Sequence, residues 1–441
     1  MKQATRPGKD ERVTAPQYSD APPHSEDPPT VLDPADPAFA RDPYPYYARL
    51  RELGPAARVS LANGTHAWFV TGYEETRAVL ADPRFSNVPP RDAGRPKNDS
   101  PAQRARACLA RHMLNTDAPD HTRLRRLTTA AFAPRRVDAL RVRIEELTDG
   151  LLRDVAERLA REGSADLVDA FAFPLPVLVI GEVLGVPEGD RAALRDWTYR
   201  VGSPADALRP GAVDEAWTSL YAYFGELIAH KRRSPGSDLF SALTHDATEG
   251  GLDDGELLAM AFLLLFAGYE TTMNLLASAS LLLLTHPGEL AAARRDPGRW
   301  PAVVEETLRH ASPLEGTTWR HTTQDVDLGD GTRIPAGASV LAVLAAANRD
   351  PRHFPEPDAF RPDRYAHDAT GRGPRAAPHA AFGHGPHFCV GSRLARLEAA
   401  IALPRLFAAF PTLRPTGGPD ELPYRPGLLV RGPRSVPVTV A

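Results

Sequence analysis

Cys389 is the residue of this chain whose type and setting point most directly to chemistry. It lies in the segment 382–391 (FGHGPHFCVG), and the run that follows has the composition of a helix. A thiolate is a strong, soft ligand for iron, and glycines allow the backbone to turn tightly and to approach a flat cofactor. Amides at a helix N-terminus would also stabilise negative charge on the sulfur. These features predict a metal-ligating thiolate at position 389.

Two other interpretations fit the same segment. A cysteine in a loop rich in glycine and proline can be an inert, buried residue. A zinc site formed by His384, His387 and Cys389 is the second possibility. Zinc sites usually combine ligands from two separated clusters, and the sequence shows no second cluster of suitable spacing.

The segment resembles the haem-binding signature of the cytochrome P-450 family, Phe-x-x-Gly-x-x-x-Cys-x-Gly, with Phe382, Gly385, Cys389 and Gly391 at matching positions. The resemblance covers the chain from about residue 32 to its end. It implies that the cofactor is haem b, that Cys389 is the axial iron ligand, and that Phe382 and Gly391 lie beside the haem. The implied fold class is mainly α with small β-sheets (α+β), with the haem between a long central helix and the cysteine loop.

A long apolar segment, residues 253–285, ends at His286 and Pro287. It predicts a helix about 50 Å long at a rise of 1.5 Å per residue. Glu270 lies in its middle, where a carboxylate would be costly in lipid. The segment therefore favours a buried central helix over a membrane span.

Within this segment, residues 267–272 (AGYETT) resemble the oxygen-activation motif of the same family, Ala-Gly-x-(Asp/Glu)-Thr. The resemblance implies that Ala267 and Gly268 leave room for dioxygen, and that Glu270 and Thr271 are the catalytic residues that relay protons. Reductive cleavage of dioxygen consumes two protons, so a relay of this kind is needed. Taken alone, the acid and the alcohol could instead satisfy a buried bend in the helix.

The two propionates of haem need cationic donors around them. In the segment 120–126 (DHTRLRR), His121 and Arg125 are four residues apart, which places them on one face of a helix. The resemblance implies that these two residues, together with Arg320 and His387, bind the propionates.

Glu306 and Arg309 are three residues apart, a spacing that also places acid and base on one helical face. The segment 360–365 (FRPDRY) is similar to the family's Phe-x-Pro-Glu-Arg-Phe segment, with Asp363 and Tyr365 as departures. The resemblance implies a buried network of Glu306, Arg309 and Arg364 that fixes the cysteine loop. Its role is structural, and the loss of one member is expected to be severe.

Composition narrows the class of protein further. The 441 residues are 42% apolar and 24% charged with a formal net charge of −4, as expected of a soluble globular protein with no general attraction to nucleic acid or to membranes. The two cysteines, Cys108 and Cys389, cannot build a disulfide framework, so a cytoplasmic location is expected. Residues 1–31 are rich in proline and charge and predict a disordered tail, while residues 32–441 are expected to form one haem-thiolate domain.

Several shorter elements are also predicted. The turn at Asn63 and Gly64 between apolar runs predicts a β-hairpin over 59–70. Apolar spacing over 137–161 predicts a helix that Gly163 ends; a shorter helix is expected over 301–311 and short strands over 326–343. Residues 82–118 are expected to form a mobile loop region, and residues 171–215 a lid over the substrate.

The sequence contains neither a Gly-x-Gly-x-x-Gly motif after a strand nor a phosphate-binding Gly-x-x-x-x-Gly-Lys motif, so electrons must come from another protein. The resemblance implies a ferredoxin and a ferredoxin reductase as electron donors. An acidic ferredoxin would dock on basic residues near the cysteine side of the haem; an ordinary solvated surface is the alternative. The basic residues in question are Arg123, Arg126, Arg135, Arg136, Arg393 and Arg396.

The substrate site implied by the resemblance is mostly apolar, which suits a hydrophobic ligand. Its expected residues are Leu264, Ala267, Gly268, Gly316, Thr317, Leu428 and Leu429. The segments 312–316 (SPLEG) and 347–350 (ANRD) resemble actinobacterial enzymes that modify macrolides, polyketides and related natural products.

The resulting hypothesis is a cytoplasmic, monomeric haem-thiolate monooxygenase that hydroxylates or epoxidises such a molecule with O2. Two alternatives stay open. One is a haem-thiolate enzyme that uses peroxide or couples substrates oxidatively. The other is a non-catalytic haem sensor or recruitment protein.

Overall fold

The computed structural model describes residues 30–62, 64–89, 100–202, 209–236, 238–245, 251–366, 376–418 and 421–440. Helices dominate these residues and the strands are short, which confirms the predicted class. In chain order the helices are α1 Pro37–Arg41, α2 Tyr44–Glu52, α3 Tyr73–Ala81, α4 Pro101–Leu109, α5 Asp120–Ala131, α6 Pro134–Ala139, α7 Arg141–Glu162, α8 Pro174–Leu184, α9 Arg191–Gly202, α10 Ala212–Arg233, α11 Leu239–His245, α12 Asp254–Thr285, α13 Pro287–Arg295, α14 Trp300–His310, α15 Leu344–Ala347 and α16 Ser392–Ala409.

The strands are β1 Thr30–Leu32, β2 Ala57–Leu61, β3 His66–Val70, β4 Phe85–Ser86, β5 Ala165–Asp166, β6 Arg320–Thr322, β7 Val326–Asp327, β8 Arg333–Ile334, β9 Ser339–Ala342, β10 Arg414–Pro415 and β11 Pro437–Thr439. The largest sheet has the order β1-β2-β3-β9-β6-β4, and two smaller sheets have the orders β10-β11-β5 and β7-β8. β2 and β3 pair antiparallel with Val59 opposite Ala67, which confirms the predicted hairpin. Of its predicted turn, Asn63 lies outside the described residues.

Helix α12 is the central element, with the bounds that the apolar segment predicts. A capping box between Asp253 and Glu256 begins it, because each side chain accepts a hydrogen bond from the other residue's backbone N–H. His286 ends it, followed by Pro287. Within the described part of the chain, α12 is the one helix long and apolar enough to cross a membrane by length and composition. Most of its apolar residues are buried against other helices, including α8 and α16, so it is the core of the helical layer.

Two predictions about local structure need correction. The helix predicted over 137–161 is two helices, α6 and α7, separated at Leu140; Gly163 does end α7, with φ 74° in the left-handed region. The predicted loop region 82–118 contains β4 and α4, with residues 90–99 outside the described residues. The lid over 171–215 stays a prediction; this segment contains most of α8 and all of α9, while residues 203–208 lie outside the described residues.

The expected start of the folded domain also differs from the structure. Thr30–Leu32 form β1, which pairs in parallel with β2, so regular structure begins two residues before the expected boundary at residue 32. The remainder of the predicted tail, residues 1–29, lies outside the described residues.

Candidate active site

The cysteine loop is held by its own backbone. The N–H of Cys389 donates to the carbonyl of Phe382 at 2.9 Å, which closes the loop. Gly383 and Gly385 have φ of 73° and 70°, a region that residues with a Cβ rarely adopt. A Cβ at Gly385 would also lie 2.6 Å from the carbonyl oxygen of Leu80. Backbone conformation therefore requires glycine at 383 and 385, and close packing also requires it at 385.

The sulfur of Cys389 lies just before α16. Burial raises the pKa of the Cys389 thiol, while a backbone hydrogen bond from Gly391, the positive charges of Arg125 and Arg396, and a backbone hydrogen bond from Ser392 act in the opposite direction. A Cβ at Gly391 would lie 4.0 Å from Sγ, and Gly391 has an ordinary φ of −84°. Gly391 thus offers its N–H to the sulfur without needing an unusual backbone. The free thiol keeps its proton and would release it when a cation binds.

A cavity of about 630 Å³ lies between the cysteine loop and α12. Cys389 forms part of one wall, and Glu270 and Thr271 form part of the opposite region on α12. The remaining walls are predominantly apolar side chains. The cavity therefore brings together the two motifs that are more than a hundred residues apart in the sequence.

Four basic groups line one side of the cavity, as the sequence comparison with the haem motif implied: His121, Arg125, Arg320 and His387. The rings of His121 and His387 are 4.0 Å apart. His121 Nε2 and Arg320 Nε are buried without a hydrogen-bond partner among the described residues. None of the described acidic side chains forms an ion pair with Arg125 or Arg320. Buried, unpaired polar groups are costly, so this cluster fits a ligand that brings carboxylates, as haem does with its propionates.

The pKa values of these groups agree with an unpaired basic cluster. Burial lowers the pKa of Arg320 to about 10. Burial, followed by the charges of His121 and Arg320, lowers the pKa of His387 to about 3. Burial and the charge of Arg125 also lower the pKa of His121. Carboxylates of a bound haem would compensate these like charges.

Thr271 and Glu270 lie one after the other on an unbroken stretch of α12. The Thr271 hydroxyl donates to the carbonyl of Ala267 at 2.8 Å, so its oxygen remains available as an acceptor towards the cavity. Glu270 Oε1 lies 3.9 Å from Arg425 Nη1. Burial raises the pKa of Glu270, and the charge of Arg425 opposes part of that rise. The sequence gives no sign of Arg425, because it lies 155 residues further along the chain.

Glu306, Arg309 and Arg364 form a buried cluster. Two hydrogen bonds join Glu306 and Arg309, and Arg364 Nε donates to Glu306 at 3.3 Å. Arg309 also donates to the carbonyl of Asn348 at 3.1 Å. The Asn348 side chain in turn accepts from the N–H of Ala380 at 2.6 Å, at the start of the cysteine loop. This path through Asn348, to which the sequence analysis assigned no part in the network, connects the cluster to the loop.

The predicted substrate residues are only partly in the cavity wall. Leu264, Ala267, Gly268, Thr317 and Leu429 line the cavity, whereas Gly316 and Leu428 are not among its lining residues. A Cβ at Gly316 would lie 2.8 Å from the carbonyl oxygen of Leu428, so these two residues pack against each other outside the wall. Gly268 has a further role in packing, because a Cβ there would lie 2.7 Å from Ile180 on α8.

Sequence reasoning missed an aromatic part of the wall. Phe262 and Phe266 on α12 pack against each other at 4.4 Å between ring centroids, and Trp217 on α10 packs on both. The spacing of Phe262 and Phe266, four residues apart in the long helix, was a usable signal. The sequence gives no such signal for Trp217, because only tertiary packing places α10 against Phe262 and Phe266 in the cavity wall.

Glu398 on α16 was also missed. It lines the cavity, is 2% exposed, and its Oε2 has no partner among the described residues. Burial raises its pKa well above the usual range for a carboxyl group. Burial therefore favours the protonated form of this side chain at the cavity wall.

The zinc alternative requires several His, Cys, Asp or Glu side chains close together. The described residues contain no group of three such side chains placed to hold a metal ion. The zinc alternative at His384, His387 and Cys389 thus lacks the ligand geometry that it requires.

The arginines expected on the cysteine side differ in their environment. Arg123, Arg393 and Arg396 are ion-paired with Glu256, Asp138 and Glu305. Arg126, Arg135 and Arg136 are exposed.

Comparisons with known proteins agree with this geometry. Residues 300–440 match the family model described as Cytochrome P450. The chain is 46% identical over 402 residues to cytochrome P450 monooxygenase PikC of Streptomyces venezuelae, covering 91% of each chain. It is 40% identical over 408 residues to 6-deoxyerythronolide B hydroxylase of Saccharopolyspora erythraea, covering 91% of this chain and 96% of that protein.

A solved structure supports the same assignment. The tirandamycin C-bound P450 monooxygenase TamI has a TM-score of 0.80 and 40% sequence identity, covering 94% of this chain and all of that one. Identity at this level over this share of the chain, together with the cavity and its cysteine, establishes that the chain belongs to the cytochrome P450 family of haem-binding monooxygenases.

Proposed function

We propose that this P450 monooxygenase hydroxylates or epoxidises a hydrophobic secondary metabolite, of the macrolide or polyketide type, with electrons from a ferredoxin and its reductase. The observation that carries the proposal is the cavity of about 630 Å³, which has mainly apolar walls, Cys389 in one wall and the Glu270–Thr271 pair in another. Apolar walls with a few polar groups suit a hydrophobic ligand that must be oriented rather than strongly bonded.

The haem, when bound, supplies the redox chemistry that joins dioxygen, two electrons and two protons to place one oxygen atom in the substrate and the other in water. The chain's own residues supply binding and proton transfer. Cys389 would hold the haem iron through its thiolate, a ligand type whose electron donation favours O–O cleavage. His121, Arg125, Arg320 and His387 bind the propionates through charge-assisted hydrogen bonds.

Helix α12 provides the two residues that transfer protons to the reaction, Glu270 and Thr271. Burial raises the pKa of Glu270, so its carboxyl group holds a proton more readily than an exposed glutamate does and can pass it on. The Thr271 oxygen, whose own proton is donated to Ala267, is available to accept a hydrogen bond in the cavity. Most other side chains of the cavity wall are apolar, and an apolar cavity limits the access of bulk water to the reacting centre.

The substrate class is inferred from relatives. The names of the hydroxylase and of the TamI complex specify 6-deoxyerythronolide B and tirandamycin C for those proteins. The aromatic wall formed by Trp217, Phe262 and Phe266 offers a flat apolar surface to a large ligand of this kind.

The ferredoxin is expected to dock on the cysteine side. Arg126, Arg135 and Arg136 are exposed there and are the members of the predicted basic set that carry the proposal. The ion pairs of Arg393 with Asp138 and of Arg396 with Glu305 reduce the contribution of those arginines. We further propose that the enzyme acts in the cytoplasm as a monomer, where soluble electron donors reach it.

The experiment combines a spectrum with turnover. The purified protein is reduced and exposed to carbon monoxide, and a strongly red-shifted Soret band is expected. Cys389→Ser should abolish that band, while Cys108→Ser, at the other cysteine of the chain, should retain it. Loss of the band in both variants, or in neither, would contradict ligation by Cys389.

Turnover then separates the remaining alternatives. A panel of macrolides and linear polyketides is screened by spectral shift, and ligands that shift the spectrum are incubated with a surrogate ferredoxin, its reductase and NADPH. Oxygenated product that requires the electron donors supports the proposal. Product with peroxide alone, and none with the electron donors, would favour the peroxide-using alternative; ligand binding without product in either system would favour the sensor.

A further inference from the structure

The chain segment 424–433, here called the C-terminal hairpin, packs against α12 beside Glu270. Tyr424 and Pro433 form an antiparallel bridge, and the N–H of Arg425 donates to the carbonyl of Gly432 at 3.2 Å. Leu429 in the same hairpin lines the cavity, whereas Arg425 does not. Arg425 instead lies behind Glu270, 3.9 Å from its carboxylate.

Neither side chain of the pair Arg425 and Glu270 is fully buried. Their side chains are 25% and 20% exposed. Glu270 also lines the cavity. The pair therefore lies between the cavity and the hairpin side of the molecule, with Arg425 on the outer side.

Asn274 adds an unsatisfied amide to the same interface. It follows Glu270 by four residues, so the two lie on one face of α12. Asn274 is fully buried, and neither Oδ1 nor Nδ2 has a partner among the described residues. A Cβ at Gly432 would lie 2.4 Å from Asn274 Oδ1, so the amide faces the hairpin directly.

Arg425 Nε is likewise buried without a partner in the described structure. Three unsatisfied polar atoms thus lie on two side chains that flank Glu270. Buried polar groups in folded proteins are nearly always bonded to protein or to ordered water. The hairpin–α12 interface therefore has the donors and acceptors that would hold ordered water next to the carboxylate.

We propose that protons for the reaction enter through this interface, with Arg425 as the positioning residue that holds the Glu270 carboxylate and Asn274 as the residue that holds water beside it. The inference rests on the proposed function, in which Glu270 passes protons towards Thr271. Each transfer moves one proton from solvent water to the Glu270 carboxylate and then onward from the carboxyl group, and two such transfers supply the two protons of one turnover. No electron moves in this step.

The charges around Glu270 determine whether removal of Arg425 should raise or lower the pKa of its carboxyl group. Burial raises the pKa of Glu270, and Arg425 is the charged group that lowers it. The neighbouring Tyr269 on the same helix has a buried phenol whose own pKa burial raises beyond the usual range, so it stays neutral. Without Arg425 the carboxyl group should keep its proton to higher pH.

An infrared titration of the haem-loaded ferric protein tests this directly and needs no substrate. The carboxyl C=O band of Glu270 is assigned by its loss in Glu270→Gln. Arg425→Met should move the midpoint of that band upward by about one pH unit, and Arg425→Lys should return it towards the wild-type value. Arg434→Met, which removes an exposed arginine of the same terminal segment, should leave it unchanged. An unmoved midpoint in Arg425→Met would overturn the role of Arg425.

Peroxide release tests the role of the interface in proton supply. NADPH consumption and peroxide are measured with a surrogate ferredoxin and reductase. Arg425→Met and Asn274→Leu should each raise the share of electrons lost as peroxide, with Arg425→Lys partly restored and the carbon monoxide spectrum retained. Equal defects in Arg425→Lys and Arg425→Met would indicate a structural role and overturn the proposal.

Failure of this inference can be told from failure of the proposed function. If Glu270→Gln and Thr271→Ala raise peroxide release while Arg425→Met and Asn274→Leu do not, protons enter elsewhere and the relay stands. If none of the four variants changes peroxide release, the relay itself is wrong.

Discussion

Glu306 and Arg309 are joined by two hydrogen bonds of 2.7 and 2.8 Å, and neither side chain is exposed to solvent. Their position one turn apart on α14 aligns the carboxylate with the guanidinium. Each partner has further bonds, since Arg309 donates to three backbone carbonyls and Glu306 accepts from the N–H of Arg361. The charges are thus buried with most of their hydrogen-bonding capacity used, which is the condition under which a buried pair is tolerated.

Glu306→Gln should lower the free energy of unfolding by about 3–5 kcal/mol, because it leaves the buried charge of Arg309 uncompensated. The haem content of the purified protein should fall with it, since the cluster connects through Asn348 to the cysteine loop. Urea unfolding and haem absorbance measure both effects. The matched control is Glu146→Gln, which breaks an exposed pair with Arg143 of the same three-residue spacing and should cost about 1 kcal/mol or less. Similar losses in the two variants would contradict a special role for burial.

Thr271→Ala should retain haem and ligand binding but divert electrons from product to peroxide, because the hydroxyl oxygen facing the cavity is lost. The measurement is product and peroxide per NADPH consumed. Thr285→Ala is the control on the same helix, since Thr285 makes the same hydroxyl-to-carbonyl bond to Leu281 but does not line the cavity. Unchanged product yield per NADPH in Thr271→Ala would refute its part in proton transfer.

Arg320→Met should speed the loss of haem. The buried guanidinium donates to the carbonyl of Phe85 and retains an unpartnered Nε beside the cavity, so it fits a propionate. A charge-assisted hydrogen bond is worth about 1.5–3 kcal/mol, which corresponds to roughly a ten- to hundredfold faster transfer of haem to apomyoglobin. Arg434→Met, at an exposed position, serves as the control. Equal transfer rates for wild type and Arg320→Met would exclude Arg320 as a propionate ligand.

His112 should make stability depend on pH. Burial lowers its pKa to about 4, and its Nδ1 has no partner among the described residues. In the unfolded chain the His112 imidazole binds a proton near pH 6.5, whereas in the folded protein it does so only near pH 4. The contribution of neutral, buried His112 to the free energy of unfolding is therefore fully present above pH 6.5 and is lost as the pH falls towards 4. The loss should approach about 3 kcal/mol at most.

His112→Leu should reduce the loss of stability between pH 7 and pH 4 by up to about 3 kcal/mol, whereas His230→Leu, at an exposed position on α10, should leave that loss unchanged. Urea unfolding of the haem-loaded proteins at several pH values between 7 and 4 provides the measurement. If the free energy of unfolding of the wild type did not change between pH 7 and pH 4, protonation of His112 in the folded protein would carry no free-energy cost, and this prediction would be wrong.

The sequence by itself determined the features that depend on short-range chemistry. The cysteine segment could be recognised because tight turns demand glycine, and Gly383 and Gly385 indeed have positive φ. The long helix could be bounded because its capping residues and its terminating proline are local signals. The hairpin of β2 and β3 followed from an Asn-Gly turn between apolar runs.

Tertiary structure alone decided which distant residues meet at the site. Arg425 faces Glu270, Asn348 connects Arg309 to Ala380, and Trp217 joins the aromatic wall, yet no spacing in the sequence links these residues. Gly316 and Leu428 were expected in the substrate site and instead pack on each other. Side-chain contacts of this kind depend on how helices and loops pack across the whole core, whereas turns, caps and helical periodicity depend only on neighbours in the chain.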